Sequence, residues 1–250
     1  MAPARALEAV IRSRHSERVP FDPARPVPDD ELRQILEAAR WAPTAHNMQN
    51  YEVVVVDDPA RLEEIAQVRS PVSEVFVREN YAQLSFSEEE LLRKKTGILA
   101  AMFPPSWLTP DPDPAEIADP EHAFLGAAIA SAPVLLIVVH DSRRRAPASE
   151  GDVLGFMSLG CVMQNMWLTA ESLGIGMQIL ATMAGELVDA DLRRILGLPA
   201  PLKVAFGVRL GYPLQAPAER LRVRRDVEDF THWNGYGSTS TESPSGISSR

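Results

Sequence analysis

Cysteine is nearly absent: Cys161 stands alone in 250 residues, which excludes an intramolecular disulfide and a multi-cysteine zinc site and fits a reducing compartment. Its neighbours Val162 and Met163 are apolar, so it reads as a buried core thiol rather than a nucleophile. Positive charge is also scarce. Lys and Arg number 25 against 34 Asp and Glu, a net charge of -9, which argues against a nucleic-acid or anionic-membrane surface. The N-terminus lacks the long apolar stretch of a secretory signal, so the chain is expected in the cytoplasm. The longest apolar stretch, from Val153 to Leu180, is broken by Ser158, Gln164, Asn165, Thr169, Glu171 and Ser172, so it reads as a buried helix and not a membrane span. His46, His122, His140 and His232 have no metal-ligand spacing, and no metal is expected. Ser16 beside His15 has neither a positioned acid nor the glycines of a nucleophile elbow, which disfavours a hydrolase.

What the chain does have is alternation of helix and strand. A first helix is expected from about Ala4 to Ser13, and Pro20, Pro23, Pro26 and Pro28 then impose an extended link. Asp29, Asp30 and Glu31 open a second helix whose apolar positions Leu32, Ile35, Leu36 and Ala39 recur at helical spacing until Pro43. Val53 to Val56 reads as a buried strand, and another helix starts near Pro59. Residues 75 to 100 look like a charged helix, acids first and bases last, followed by a proline-rich loop or lid at 103 to 120. Ala123 to Ala132 is expected as helix, Val134 to His140 as a second buried strand, and Val153 to Leu173 as the long buried helix.

On that helix Ser158, Asn165 and Ser172 repeat every seven residues and share a stripe, either facing a ligand or partner or satisfied within the protein. Gly174-Ile175-Gly176 reads as a helix terminator, because no third glycine follows at Ile179 and no strand precedes it. Asp189 is expected to cap a short helix ended by Gly197, and Lys203 to Tyr212 is the third core strand. The sum is an α+β single domain over residues 1 to 236, with a lid or insertion at about 75 to 120 and a disordered Ser/Thr-rich tail at 237 to 250.

Two polar clusters flank the second helix. In Arg14-His15-Ser16-Glu17-Arg18, alternate residues place two guanidinium groups and a hydroxyl on one face if the segment is extended, a grip suited to a phosphate. Ala42-Pro43-Thr44-Ala45-His46-Asn47-Met48-Gln49 follows the helix, and Arg220, Arg222, Arg224 and Arg225 form a basic arm after the last strand. Together these suggest a pocket for an anionic, planar ligand.

With Gln164-Asn165, Leu173-Gly174-Ile175-Gly176, Leu196-Gly197-Leu198-Pro199 and Leu210-Gly211-Tyr212-Pro213, the two clusters resemble the FMN-dependent nitroreductase family, in order from residue 4 to about 236. The resemblance implies a central, mostly antiparallel sheet flanked by helices, in an entwined homodimer with an extended C-terminal arm. It implies FMN as cofactor and NAD(P)H as electron donor. Hydride would pass in ping-pong fashion through flavin N5 to a small acceptor such as a nitroaromatic, quinone or activated alkene. By the same resemblance Arg14, His15, Ser16, Arg222 and Arg224 hold the phosphate, and Arg18 stabilises charge at the pyrimidine edge of the flavin. Pro43, Thr44, Ala45 and Asn47 would contact the flavin of the neighbouring subunit, and Leu180, Ala181 and Thr182 would lie near N5. Tyr81, Phe86, Phe103 and Trp107 fall in the segment that covers the substrate face in relatives. Asn50-Tyr51 replaces the usual Pro-Trp, and the Asn and Lys that some relatives present to the ring are not evident around Ala123 to Ala130. A flavin-binding carrier or sensor without turnover is the alternative.

Overall fold

Val134–Asp141 (strand β4) is apolar at nearly every position, and a strand can bury both of its faces only at the middle of a layered fold. The computed structural model places it there, and describes residues 3–70, 79, 84–102, 121–215 and 221–238. The elements before it are α1 (Pro3–Ser13), α2 (Asp29–Arg40), β1 (Tyr51–Val56), α3 (Pro59–Ala66), β2 (Ser85–Phe86), α4 (Glu88–Lys94), β3 (Ile98–Leu99) and α5 (Glu121–Ala130). After it come α6 (Val153–Ser172), β5 (Gly176–Leu180), α7 (Glu186–Leu196) and β6 (Leu202–Gly211).

The main sheet runs β1-β4-β6-β5 with every neighbouring pair antiparallel. Side chains of β4 alternate between two cores, as the two-residue period of a strand requires. Val134, Leu136 and Val138 pack with Ile35 and Ala39 of α2 and Val162 and Met166 of α6. Leu135, Ile137 and Val139 face Leu62 and Ile65 of α3, Ile129 of α5 and Leu192 of α7. The result is an α+β fold with helices on both faces of an antiparallel sheet.

The chain forms two compact units, residues 1–71 with 118–218 and residues 72–117 with 219–250. In the second, α4 has the capping box of Ser87 and Glu90, and it stops where Lys95 turns left-handed at φ 54 and Gly97 follows at φ 95. The helix expected over 75 to 100 is thus much shorter within the described residues. Lys95 pairs with Asp226 of the arm, which carries its own capping box with Asp229. The expected tail lies outside the described residues from 239 onward, as does the proline-rich stretch 103–120.

Three other expectations change. The strand at Val53 to Val56 is an edge strand with Val55 36% exposed, not a buried one, because among the described residues β1 pairs only with β4. Asp189 does not cap α7: it sits in the first turn, and its carboxylate accepts the Val204 N–H at 2.8 Å and Arg193 Nη2 at 3.2 Å. Gly174 does end α6, in the left-handed region at φ 72, but Gly176 opens β5, a strand with no expectation behind it.

Gly176 and Gly211 are register partners, and their bare backbones make room for the strip from Glu17 to Asp22. A Cβ on Gly211 would come within 2.6 Å of Phe21 Cγ, and one on Gly176 within 2.8 Å of Phe21 Cε1 and 3.0 Å of Glu17 Cγ. Backbone bonds hold the strip there: Glu17 N–H to Met177 O at 2.9 Å, Asp22 N–H to Tyr212 O at 2.8 Å and Leu214 N–H to Pro20 O at 3.0 Å. Gly211→Ala is therefore expected to cost about 1–3 kcal/mol through overpacking against a fully buried ring. Urea unfolding of the variant checks this, and an unchanged midpoint would show that the strip yields freely.

Candidate cofactor site

The first polar cluster begins where α1 ends and is carried by α6. Trp167 Nε1 donates to His15 O at 3.0 Å, and the Arg14 guanidinium stacks 4.5 Å above the Trp167 ring. His15 Nε2 lies 3.0 Å from Glu17 Oε2, while Nδ1 lies 3.2 Å from Ser13 O and 3.9 Å from Glu171 Oε2. Arg14, His15 and Ser16 are half-buried, Glu17 is buried, and Arg18 is exposed. The cluster thus presents two cations and a hydroxyl at the surface while its one acid is turned inward.

Beneath it lies a buried guanidinium that the sequence reading passed over. Arg209 of β6 is 1% exposed, and burial pushes its pKa down to about 10 against the opposing pull of the Glu17 carboxylate. It donates from Nε to Gln178 Oε1 at 2.6 Å and from Nη1 to Ser131 Oγ at 3.2 Å and Ala128 O at 3.4 Å. Nη2 serves two carbonyls of the cluster strip, Glu17 O at 2.9 Å and Val19 O at 3.0 Å. The Phe21 ring lies 4.4 Å from its guanidinium carbon. A lone arginine inside Val204-Ala205-Phe206-Gly207-Val208-Arg209-Leu210 was the available signal.

The second cluster hangs from the other side of α6. The Ala45 N–H donates to Ser158 Oγ at 3.0 Å, and that hydroxyl donates to Leu154 O at 2.7 Å. His46, Asn47 and Gln49 have φ of 52, 52 and 46, left-handed conformations that cost strain in residues other than glycine. Gln49 is tied back to Thr44 Oγ1 through its N–H at 3.2 Å and to Asn47 Oδ1 through Nε2 at 3.0 Å. Asn50 and Tyr51 are internal braces: Asn50 Nδ2 donates to Arg144 O at 3.2 Å and Tyr51 OH to Ala39 O at 2.9 Å.

Ser158 and Trp167 are nine residues apart, two and a half helical turns. They project from opposite sides of α6, about 13 Å apart along its axis. One chain therefore attaches its two polar clusters to opposite faces of the same helix and does not bring them together. The Ser158, Asn165 and Ser172 stripe is satisfied internally, with Asn165 Nδ2 on Ala38 O at 3.0 Å and Ser172 Oγ on Thr169 O at 2.8 Å.

Of the remaining expected residues, Leu180 buries its side chain in the core, while Ala181 and Thr182 are exposed just past the end of β5. Arg222 and Arg224 belong to the second compact unit and are exposed. Phe86 lies on β2 with Lys94 Nζ 3.5 Å over its ring. Tyr81, Phe103 and Trp107 lie outside the described residues. Cys161 is half-buried against the α2–α6 core. No group of three or more His, Cys, Asp or Glu side chains able to hold a metal occurs among the described residues.

The profile of the Nitroreductase family matches residues 11–212. An NADH dehydrogenase from Thermus thermophilus is 30% identical over 236 residues, covering 89% of this chain and 94% of that protein. The NADPH:FMN oxidoreductase from Vibrio harveyi, solved in complex with NAD+, superimposes with a TM-score of 0.60 at 22% identity over 93% of this chain and 79% of that one. A nitroreductase with bound FMN from Bacteroides fragilis gives 0.54 at 22% identity, over 88% and 94% respectively.

Replacing Ser158 by Ala removes the hydroxyl that holds the Ala45 amide. The variant is expected to lose about 1 kcal/mol and to exchange the Ala45 amide hydrogen faster. Wild-type protection at that amide would mean another group holds the loop.

Proposed function

The chain belongs to the nitroreductase family, and from that premise we propose that it is an FMN-dependent NAD(P)H oxidoreductase acting on a small organic acceptor such as a nitroaromatic, quinone or activated alkene. The observation that carries this reading is the first cluster: Arg14 seated on Trp167 and Arg18 exposed beyond a buried Glu17, cations displayed where the strip leaves the core. That donor set fits FMN. Arg14, the His15 backbone and Ser16 suit a phosphate dianion, Arg222 and Arg224 on the second unit have the same chemistry, and Arg18 suits the pyrimidine edge, where negative charge collects on reduction. Bound there, FMN would supply two-electron redox chemistry, which the side chains themselves lack. The protein's share is to bind, orient and charge-balance. The chain has no separate nicotinamide-binding motif, so donor and acceptor take turns in one pocket.

The functional form in this reading is a homodimer. Val153, Phe156 and Met157, at helical spacing on α6, are 57%, 56% and 61% exposed, an apolar stripe beside the Ser158 anchor of the second loop. A second copy seated on that stripe gives Pro43, Thr44, Ala45 and Asn47 a flavin to contact that their own chain holds on the far side of α6. Ala181 and Thr182, with the Leu180 backbone, complete the ring contacts. The extended arm contributes Arg222 and Arg224. We assign the protein to the cytoplasm, in keeping with its single thiol.

Purified protein loaded with FMN is expected to stay yellow through gel filtration and to bleach anaerobically with NADH or NADPH. Loss of all flavin absorbance on the column sinks the reading, and bound flavin that resists both donors turns it toward a carrier or sensor. The double variant Arg14→Ala, Arg222→Ala is expected to bind FMN at least about a hundredfold more weakly, since each charge-assisted bond to phosphate contributes about 1.5–3 kcal/mol. Unchanged affinity would move the phosphate site elsewhere.

A further inference from the structure

Glu17 and Arg209 are the two charged side chains that are buried among the described residues; Glu17 lies on the strip that carries Arg18, and Arg209 of β6 is bonded to that strip. For stability alone a buried cation is a poor choice. Desolvation penalises it, and an apolar residue of similar volume commonly serves as well or better. The cost is tolerated here for a geometric result. One terminal nitrogen, Nη2, binds the carbonyls of Glu17 and Val19, the residues on either side of Arg18.

The rest of the guanidinium is clamped in a plane by Gln178, Ser131 and Ala128, on β5 and at the end of α5. The planar fork has no freedom to follow the strip if the strip shifts. Gly176 and Gly211 bring the strip close enough for these bonds. With Glu17 turned into the protein, the next side chain, Arg18, is turned out, as the observed burial has it.

We propose that Arg209 is a positioning residue for Arg18: by fixing both flanking carbonyls it sets the direction in which Arg18 leaves the protein, and through Arg18 it tunes the balance between oxidised and reduced FMN. This rests on the FMN reading above. Arg209 touches no ligand in this assignment; its whole effect passes through one neighbouring side chain.

The test is a double-mutant cycle on FMN-loaded protein, with Arg209→Met, Arg18→Met and the pair, reading the flavin midpoint potential and the dissociation constants of oxidised and reduced FMN. Each single variant is expected to lower the preference for reduced FMN about tenfold, a shift of about 30 mV to more negative potential for a two-electron couple. In the Arg18→Met background, Arg209→Met is expected to add nothing, the non-additivity of residues acting as a unit. A further equal shift in the double variant overturns the proposal, as does an Arg209→Met protein with the wild-type potential. If Arg209→Met does not fold, Arg209→Lys runs the same cycle, keeping the buried charge without the fork. Wild-type protein that retains no FMN overturns the parent reading instead, an outcome distinct from variants that all bind FMN at one potential.

Discussion

Each polar side chain that α6 turns into the protein needs a partner, and that constraint organises the site. Unpaired, each such group would cost on the order of 1–3 kcal/mol. Instead Ser158 takes the Ala45 amide, Asn165 bonds the last turn of α2 at Ala38, and Trp167 takes the His15 carbonyl. The partners are all loop or helix-end backbone, so satisfying α6 fixes the segments that leave α2 and α1. Apolar contacts through Val162, Met166 and Ala170 fix the helix itself against the sheet. By length and composition alone it would also suit a membrane span; in this fold its inward face packs on the sheet and Ser158 and Asn165 bond within the protein.

Charge is used in two different ways. Ion pairs such as Arg12 with Glu8 on α1, Arg61 with Glu64 on α3 and Arg194 with Asp191 on α7 lie on exposed helix faces and contribute little. The buried pair around the cluster, Glu17 and Arg209, does not meet as a simple salt bridge. Arg209 spends its donors on carbonyls, a glutamine and a serine, and Glu17 spends its acceptors on His15 and the Val19 amide at 3.4 Å. Each therefore acts on backbone geometry more than on the other's charge.

Much of the architecture was legible because it rests on short-range periodicity. Helix α2, with three acids at its start and Leu32, Ile35 and Ala39 inward, and the apolar run Val134 to Val139 of β4 follow from their own residues. Strand β5 did not, because Gly-Met-Gln-Ile-Leu follows a helix end directly and its alternation is masked by burial on both faces. Asp189 looked like a cap because aspartate favours that position; a tertiary bond to the Val204 amide, fifteen residues on, won. In the cluster, Arg14 and Arg18 announce themselves by charge. Gly211 and Phe21 carry no local sign of their purpose, and Arg209 shows only as a lone charge in an apolar run, since each matters through a partner on the other side of the fold.

The strip from Glu17 to Asp22 makes its decisive contacts with residues 209 to 214, nearly two hundred positions later. Closing so long a loop is entropically slow, and those contacts require β6, the last strand of the sheet in chain order. A nascent chain can thus assemble α2 against β4 early, but its N-terminal cations stay unplaced until β6 is in register. An ordered cluster is thereby reserved for molecules that have finished folding the first unit, and a partly folded chain displays its cations in no fixed arrangement.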